Sequence, residues 1–180
     1  MGRFDKNRFR TENQSWETPD TLFSILNSEF HFEIDLAASK ENRKCILFFS
    51  ETDNGLSKTW NGIGWLNPPY GGTKENAIKN WVKKAFDETR KDGCVVVMLI
   101  PARTNTEWWH NYCMKAKEIR FIRGRPKFKG NIHGLPQPLA IVVFQKTNNI
   151  PLLKTQEQKE TAVKPIPPAV KTAGIIGVIL

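Results

Sequence analysis

Residues 63–70 read Ile-Gly-Trp-Leu-Asn-Pro-Pro-Tyr, an apolar run followed at once by a stiff turn. The run predicts a short buried strand, and two consecutive prolines can continue neither a strand ladder nor a helix. The turn is therefore expected at the carboxyl end of a strand, where open α/β sheets place their ligand sites. It offers the Asn67 side-chain oxygen, a proline backbone carbonyl and the Tyr70 ring, a set that suits a flat group carrying an NH2. The alternative is a strand-ending turn with a capping asparagine and a packed tyrosine.

Strands and helices alternate on both sides of this turn. Thr18 is positioned to cap the first helix, with Pro19 and Asp20 in its first turn. The apolar run at 95–100 is rich in β-branched residues and predicts a central parallel strand. Helices are expected at about 19–29, 78–86 and 108–113, and strands at 32–36, 46–49, 62–66, 95–100, 119–122 and 139–144. The alternation predicts a single-domain α/β sandwich with a mostly parallel sheet.

Composition changes at both ends of this alternating region. Residues 1–15 are polar and rich in arginine, which predicts a flexible basic arm and no signal peptide. Residues 147–180 begin with a stretch rich in Pro, Lys, Thr and Gln that lacks periodicity, which predicts a disordered tail. The folded domain is therefore expected at 16–146, and no apolar run reaches the length of a membrane span.

The chain is basic, with 27 Lys and Arg against 18 Asp and Glu among 180 residues, a formal net charge of +9. This charge favours a polyanionic partner, nucleic acid before membrane, although a solvated basic surface is the alternative. Three widely spaced cysteines form no CxxC pair and no cluster with histidine, so we expect no metal site.

Two carboxylates follow predicted strands in the way that Asn67 does. Asp35 ends the strand before Ala37, and Asp53 lies in the polar stretch after the next strand. Because the carboxyl ends of parallel strands meet at one edge of a sheet, both acids and the amide are candidates for a single pocket. Taken one at a time, each acid also fits a loop cap or a surface charge.

Several motifs in order resemble the phage-type, Dam-like DNA adenine-N6 methyltransferases. The resemblance covers about residues 15–146. It rests on Trp16-x-Thr18-Pro19, Asp35-Leu-Ala-Ala, Asp53-x-Gly55-Leu56, Asn67-Pro-Pro-Tyr70, Trp81-x-x-Lys84-Ala85, Pro101-Ala-Arg-Thr104 and Arg120-Phe-Ile-Arg-Gly-Arg125. The resemblance implies a class I S-adenosylmethionine-dependent methyltransferase fold, a three-layer sandwich, with S-adenosylmethionine as methyl donor and adenine in double-stranded DNA as acceptor.

The resemblance also implies roles for individual residues. The catalytic set would be Asn67, Pro68, Pro69 and Tyr70: Asn67 and the Pro68 carbonyl would accept hydrogen bonds from the adenine N6 amine, and Tyr70 would stack on the base. Asp35 and Ala37 match the region that holds the methionine part of the cofactor, and Asp53 would accept from the cofactor's adenine amine. The glycine-rich loop usual in wider methyltransferases is replaced here by Leu-Ala-Ala-Ser at 36–39.

An adenine inside a duplex must be flipped out before its N6 atom can react. The basic loop with Arg123, Arg125, Lys127 and Phe128 is the candidate for gripping backbone phosphates. Phe128 is either a second wall for the flipped base or a ring tucked onto the core. Because no segment is long enough for a dedicated recognition domain, we expect a short or relaxed target sequence.

Two rival functions remain open. The first is methylation of RNA or of a protein glutamine amide, because Asn-Pro-Pro-Tyr fits any planar NH2 group. The second is a non-catalytic DNA-binding module. The resemblance to phage proteins places the expected site of action in the bacterial cytoplasm.

Overall fold

The computed structural model describes residues 17–71, 77–124, 126, 128 and 137–146. The predicted arm at 1–15, the predicted tail at 147–180, Arg125 and Lys127 therefore lie outside the described residues. Three α-helices and six strands follow one another in the described chain: α1 Asp20–Phe30, β1 Ile34–Asp35, β2 Leu47–Phe48, β3 Ile63–Leu66, α2 Ile78–Glu88, β4 Val95–Pro101, α3 Glu107–Asn111, β5 Glu118–Phe121 and β6 Leu139–Gln145. Short 3-10 helices at Gly55–Ser57 and Cys113–Lys115 complete the set.

The strands form one sheet in the order β2-β1-β3-β4-β6-β5. The pairings of β1 with β2, β1 with β3 and β3 with β4 are parallel, whereas β6 pairs antiparallel with both β4 and β5. The α/β class predicted from the sequence is confirmed. The mostly parallel sheet is not confirmed, because the antiparallel β6 makes the sheet mixed.

The core is continuous and follows the long strands. β4 is buried from Val96 to Pro101, and β6 is buried from Leu139 to Phe144. The amphipathic helix α2 adds buried residues at helical spacing, among them Trp81, Val82 and Ala85. Removing this much apolar surface from water is the main favourable term in folding.

Thr18 does not cap α1. The helix begins at Asp20 with Pro19 at the N-cap position, and no side chain caps it. The Thr18 hydroxyl instead accepts a hydrogen bond from the side chain of Asn67. The prediction of a threonine cap was wrong because a partner 49 positions along the chain takes the hydroxyl.

The first two strands are shorter than predicted. β1 and β2 have two residues each, against expected spans of 32–36 and 46–49. Each of these strands is followed directly by a loop that contributes to the site described below. No helix in the described part of the chain is long and apolar enough to cross a membrane.

Candidate active site

A cavity of about 720 Å³ opens at the carboxyl ends of β1, β2 and β3. Each of these neighbouring strands contributes residues at or after its end: 35 and 37–40 from β1, 49–52 from β2 and 67–69 from β3. The cavity volume is within the range of small-molecule and cofactor sites. The parallel order β2-β1-β3 brings the three loops together, because all three strands end on the same edge.

Asp35 is a buried carboxyl group at the cavity, with 3% of its surface exposed. Its carboxylate accepts hydrogen bonds from the backbone N–H groups of Lys44 at 3.0 Å and Ala37 at 3.4 Å. Burial raises the pKa of Asp35 from 3.8 to about 6, although these hydrogen bonds and the Lys44 charge act in the opposite direction. A carboxyl group that exchanges its proton near neutral pH, in a cavity, is typical of a functional site.

Lys44 links this cavity to the segment that precedes α1. Its ammonium group lies 3.1 Å from a carboxylate oxygen of Glu17 and 2.5 Å from a carboxylate oxygen of Asp20. The Lys44 side chain is 8% exposed. Both Lys44 and Glu17 line the cavity. Sequence reasoning missed this pair, since no local pattern marks an ion pair between residues 27 positions apart.

Asn67 lies at the cavity with Pro68 and Pro69. Its Nδ2 atom donates to Thr18 Oγ1 at 3.1 Å, and Thr18 is 2% exposed. The structure therefore brings five of the predicted site residues to one cavity: Asp35, Ala37, Asn67, Pro68 and Pro69.

Tyr70 is placed differently. Its ring is 7% exposed, its hydroxyl donates to the Leu99 carbonyl at 3.3 Å, and burial raises its pKa. Among the described residues that line the cavity, Tyr70 is absent. The ring is packed in the core in this structure, which agrees with the alternative of a packed tyrosine.

Asp53 is also away from the cavity lining, within the described part of the chain. The carboxylate is exposed and accepts hydrogen bonds from the Ser50 backbone N–H at 2.8 Å and the Ser50 hydroxyl at 2.5 Å. These bonds lower the pKa of Asp53 and fit the loop-capping alternative. Its neighbours Thr52 and Asn54 line the cavity instead.

An aromatic wall, formed by Phe49, Trp65 and Trp81, contributes apolar surface to the cavity. Trp81 stacks on Trp60 with ring centroids 6.2 Å apart, and its buried Nε1 has no hydrogen-bond partner among the described residues. Gly55 brings the backbone against this wall, since a Cβ at this position would lie 2.5 Å from the Leu36 carbonyl oxygen and 3.3 Å from Trp81 Cη2.

The predicted phosphate-gripping loop is described only in part. Arg123 is exposed, whereas Phe128 is 2% exposed within the core. The burial of Phe128 favours a ring tucked onto the core over a wall for a flipped base. The described residues contain no group of His, Cys, Asp and Glu side chains able to hold a metal ion.

A sequence model of the family described as "DNA N-6-adenine-methyltransferase (Dam)" matches residues 6–160. The chain belongs to this family. A DNA N-6-adenine-methyltransferase of Escherichia phage T1 is 34% identical over 110 residues, which is 59% of this chain and 44% of the phage T1 protein. A protein of the same name from Haemophilus phage HP1 is 29% identical over 119 residues, which is 64% of this chain and 66% of that protein.

The aligned stretches span less than two thirds of either phage relative. The family match extends beyond the predicted domain, 16–146, at both ends. The matched residues include the Asn-Pro-Pro turn, which also lies at the cavity formed by the ends of β1, β2 and β3.

Proposed function

We propose that this chain transfers a methyl group from S-adenosylmethionine to the N6 atom of adenine in double-stranded DNA. The observation that carries the proposal is the position of Asn67, Pro68 and Pro69 in a cavity shared with Asp35, in a chain of the Dam family. The fold we propose is the class I methyltransferase sandwich of three layers. Its expected place of action is the bacterial cytoplasm, where a phage enzyme meets DNA.

The residues of the cavity fit S-adenosylmethionine. This cofactor has a flat purine, hydroxyl groups, an ammonium group and a carboxylate, and it needs aromatic, anionic and donor partners in one site. The aromatic wall and the carboxylate of Asp35 are of the required kinds, and the buried indole N–H of Trp81 is a donor without an acceptor among the described residues. Asp35 and the Ala37 loop would hold the methionine part. The structure gives less support to Asp53 as a partner of the purine, because Asp53 bonds to Ser50 instead.

The chemistry assigned to the protein is orientation of the amine. The Asn67 side-chain oxygen and the Pro68 carbonyl would accept hydrogen bonds from the two N6 hydrogens, which would draw the nitrogen lone pair out of ring conjugation and direct it for attack. The new N–C bond would replace the S–C bond of the sulfonium, with release of one N6 proton. When bound, S-adenosylmethionine supplies an electrophilic methyl group on its sulfonium. The two rigid prolines hold the carbonyl acceptor in position without a further entropy loss.

Stacking of Tyr70 on the flipped adenine requires a movement, since the ring is buried here. Base flipping costs a few kcal/mol, and stacking on an aromatic ring recovers about 1–3 kcal/mol. The proposed step therefore couples flipping to exposure of the Tyr70 ring.

DNA binding is proposed to rest on the phosphate backbone, through the basic loop that contains Arg123. Exposed arginine is suited to phosphates, and phosphate contacts position a protein without reading sequence. A short or relaxed target around the adenine follows. Binding is expected to weaken steeply with salt, because each neutralised phosphate releases counterions.

Tritiated methyl transfer to methyl-free duplex DNA, followed by digestion to nucleosides, tests the function. We expect label in N6-methyladenine and none in RNA or protein acceptors assayed in parallel. Label in RNA or in a glutamine amide alone, or no transfer with DNA bound, would instead support one of the two rival functions. Sequencing of a genome methylated to saturation tests the target: one fixed site of four or more bases would contradict relaxed specificity.

A further inference from the structure

Thr18 is a polar residue in an unusual place. It is 2% exposed and precedes the proline at the N-cap position of α1, yet its hydroxyl does not cap the helix. Its Oγ1 accepts the Asn67 Nδ2 hydrogen bond at 3.1 Å, across 49 positions of sequence. Both residues line the cavity.

The segment that carries Thr18 is fixed on both sides. Glu17 and Asp20 both pair with the buried ammonium group of Lys44, at 3.1 Å and 2.5 Å. The Lys44 backbone N–H in turn donates to Asp35. The backbone on either side of Thr18 is therefore tied to the loop after β1, independently of Asn67.

An asparagine amide has two ends that differ in chemistry and little in shape. Rotation by 180° exchanges the oxygen acceptor with the NH2 donor. An amide that turned its NH2 toward the adenine N6 amine would oppose donor to donor. In this structure the Thr18 oxygen accepts at the NH2 end of Asn67, which leaves the amide oxygen at the other end.

We propose that Thr18 is a positioning residue that orients the Asn67 amide for the adenine amine. The inference rests on the proposed function, since it names the residue that sets up the acceptor of that same site. Thr18 acts through Asn67 and touches neither the cofactor nor the reacting atoms in this role.

The test compares Thr18→Val, which keeps the branched shape and removes the acceptor, with Thr18→Ser, which restores it. We expect kcat for methyl transfer to fall about 10-fold in Thr18→Val, the scale of one hydrogen bond, and to return nearly to the wild-type value in Thr18→Ser. The Kd for S-adenosylmethionine, measured by calorimetry, should stay within about twofold. Thr89→Val is the matched control, because Thr89 is 4% exposed and donates to the Ala85 carbonyl at 2.8 Å, away from the cavity lining among the described residues.

A second measurement does not depend on turnover. Nitrogen-15 NMR of the Asn67 side-chain amide, assigned by its loss in Asn67→Asp, reports the hydrogen bond directly. In Thr18→Val we expect the bonded amide proton to move upfield and to shift more steeply with temperature, with both features restored in Thr18→Ser.

Wild-type kcat in a folded Thr18→Val would overturn the inference, and so would an equal loss of kcat in Thr89→Val. If Thr18→Val does not fold, the amide spectra of the wild type and of Thr18→Ser test the inference instead. The absence of a hydrogen-bonded Asn67 amide proton from both spectra would contradict the contact between Thr18 and Asn67. Failure of the wild-type protein to methylate DNA would contradict the proposed function, whereas the amide spectrum would still test the hydrogen bond between Thr18 and Asn67.

Discussion

The two halves of the sheet differ in the length and burial of their strands. On the core half, formed by β4, β5 and β6, β4 and β6 pair over seven residues and are almost wholly buried. On the cavity half, formed by β1, β2 and β3, the β1–β2 ladder has two residue pairs, and a buried carboxylate ends β1. Long apolar strands supply stability, whereas short strands bring loops and polar groups to one edge. The long buried ladder and the candidate site therefore lie in different halves, and we expect that each can be perturbed alone.

The largest expected effect on the core half is from Ile141→Ala. Ile141 on β6 is 1% exposed, so the truncation leaves a cavity and should lower the free energy of unfolding by about 2–5 kcal/mol. Leu47→Ala on β2 is the control, because Leu47 is 62% exposed and should change stability by less than about 0.5 kcal/mol. Urea unfolding measures both. Equal losses would show that the two halves do not differ in this way.

Asn67→Ala should affect turnover rather than stability. One of the two proposed acceptors for the amine is removed, so turnover in the tritium assay should fall by about 10²–10³-fold. Cofactor binding by calorimetry should change little, because Asp35 and the aromatic wall remain. The same substitution at the exposed Asn61 serves as control and should leave turnover unchanged. Near-normal turnover of Asn67→Ala would remove Asn67 from the mechanism.

Asp35 should make the cavity half sensitive to pH. Burial raises its pKa from 3.8 to about 6, so between these values the folded state holds a proton that the unfolded state has lost. The contribution of Asp35 to the free energy of unfolding is therefore fully present below pH 3.8. This contribution is lost as pH rises through 6, by about 3 kcal/mol in total. Urea unfolding from about pH 4 to 7 should show this downward slope in the wild type and a flatter one in Asp35→Asn. Parallel slopes would assign the dependence to other groups.

Much of this division could be predicted from the sequence, because the relevant patterns are local. An apolar run such as 95–100 predicts a buried strand, and a proline pair after Asn67 predicts where a strand ends. Asp35 and Asn67 both follow such runs. The direction of β6 could not be predicted in this way, since an apolar run at 139–144 looks the same in a parallel and an antiparallel pairing.

Side-chain partners were less predictable, since they depend on contacts distant in sequence. Thr18 before Pro19 fits a helix cap, and only the folded chain shows that Asn67 takes the hydroxyl. Tyr70 and Phe128 are aromatic residues in loops, for which exposure and burial leave the same local pattern. For Asp53 the partner is local. Ser50, three positions before it, is a loop-capping residue, and its hydroxyl donates to the Asp53 carboxylate. This local pattern accounts for the position of Asp53 better than the resemblance did.

The smallest effects are expected at two glycines, of which Gly55 lies against the loop after β1 and the aromatic wall. In Gly55→Ala the new Cβ would lie 2.5 Å from the Leu36 carbonyl oxygen and 3.3 Å from Trp81, so either the loop after β1 or the aromatic wall must move. We expect a loss of about 1–3 kcal/mol in the free energy of unfolding. Because Trp81 lines the cavity, we also expect weaker binding of S-adenosylmethionine by calorimetry.

Gly93→Ala separates these two effects. Gly93 has a φ of +76°, and a Cβ added there would meet no neighbouring group within 4 Å among the described residues. Alanine at this position is therefore strained by its backbone alone, at about 1–2 kcal/mol. Both variants should unfold more readily, but Gly93→Ala should bind the cofactor as the wild type does. Unchanged cofactor binding in Gly55→Ala would show that the 3-10 helix at Gly55–Ser57 is part of the scaffold only, and that the aromatic wall yields without disturbing the cavity.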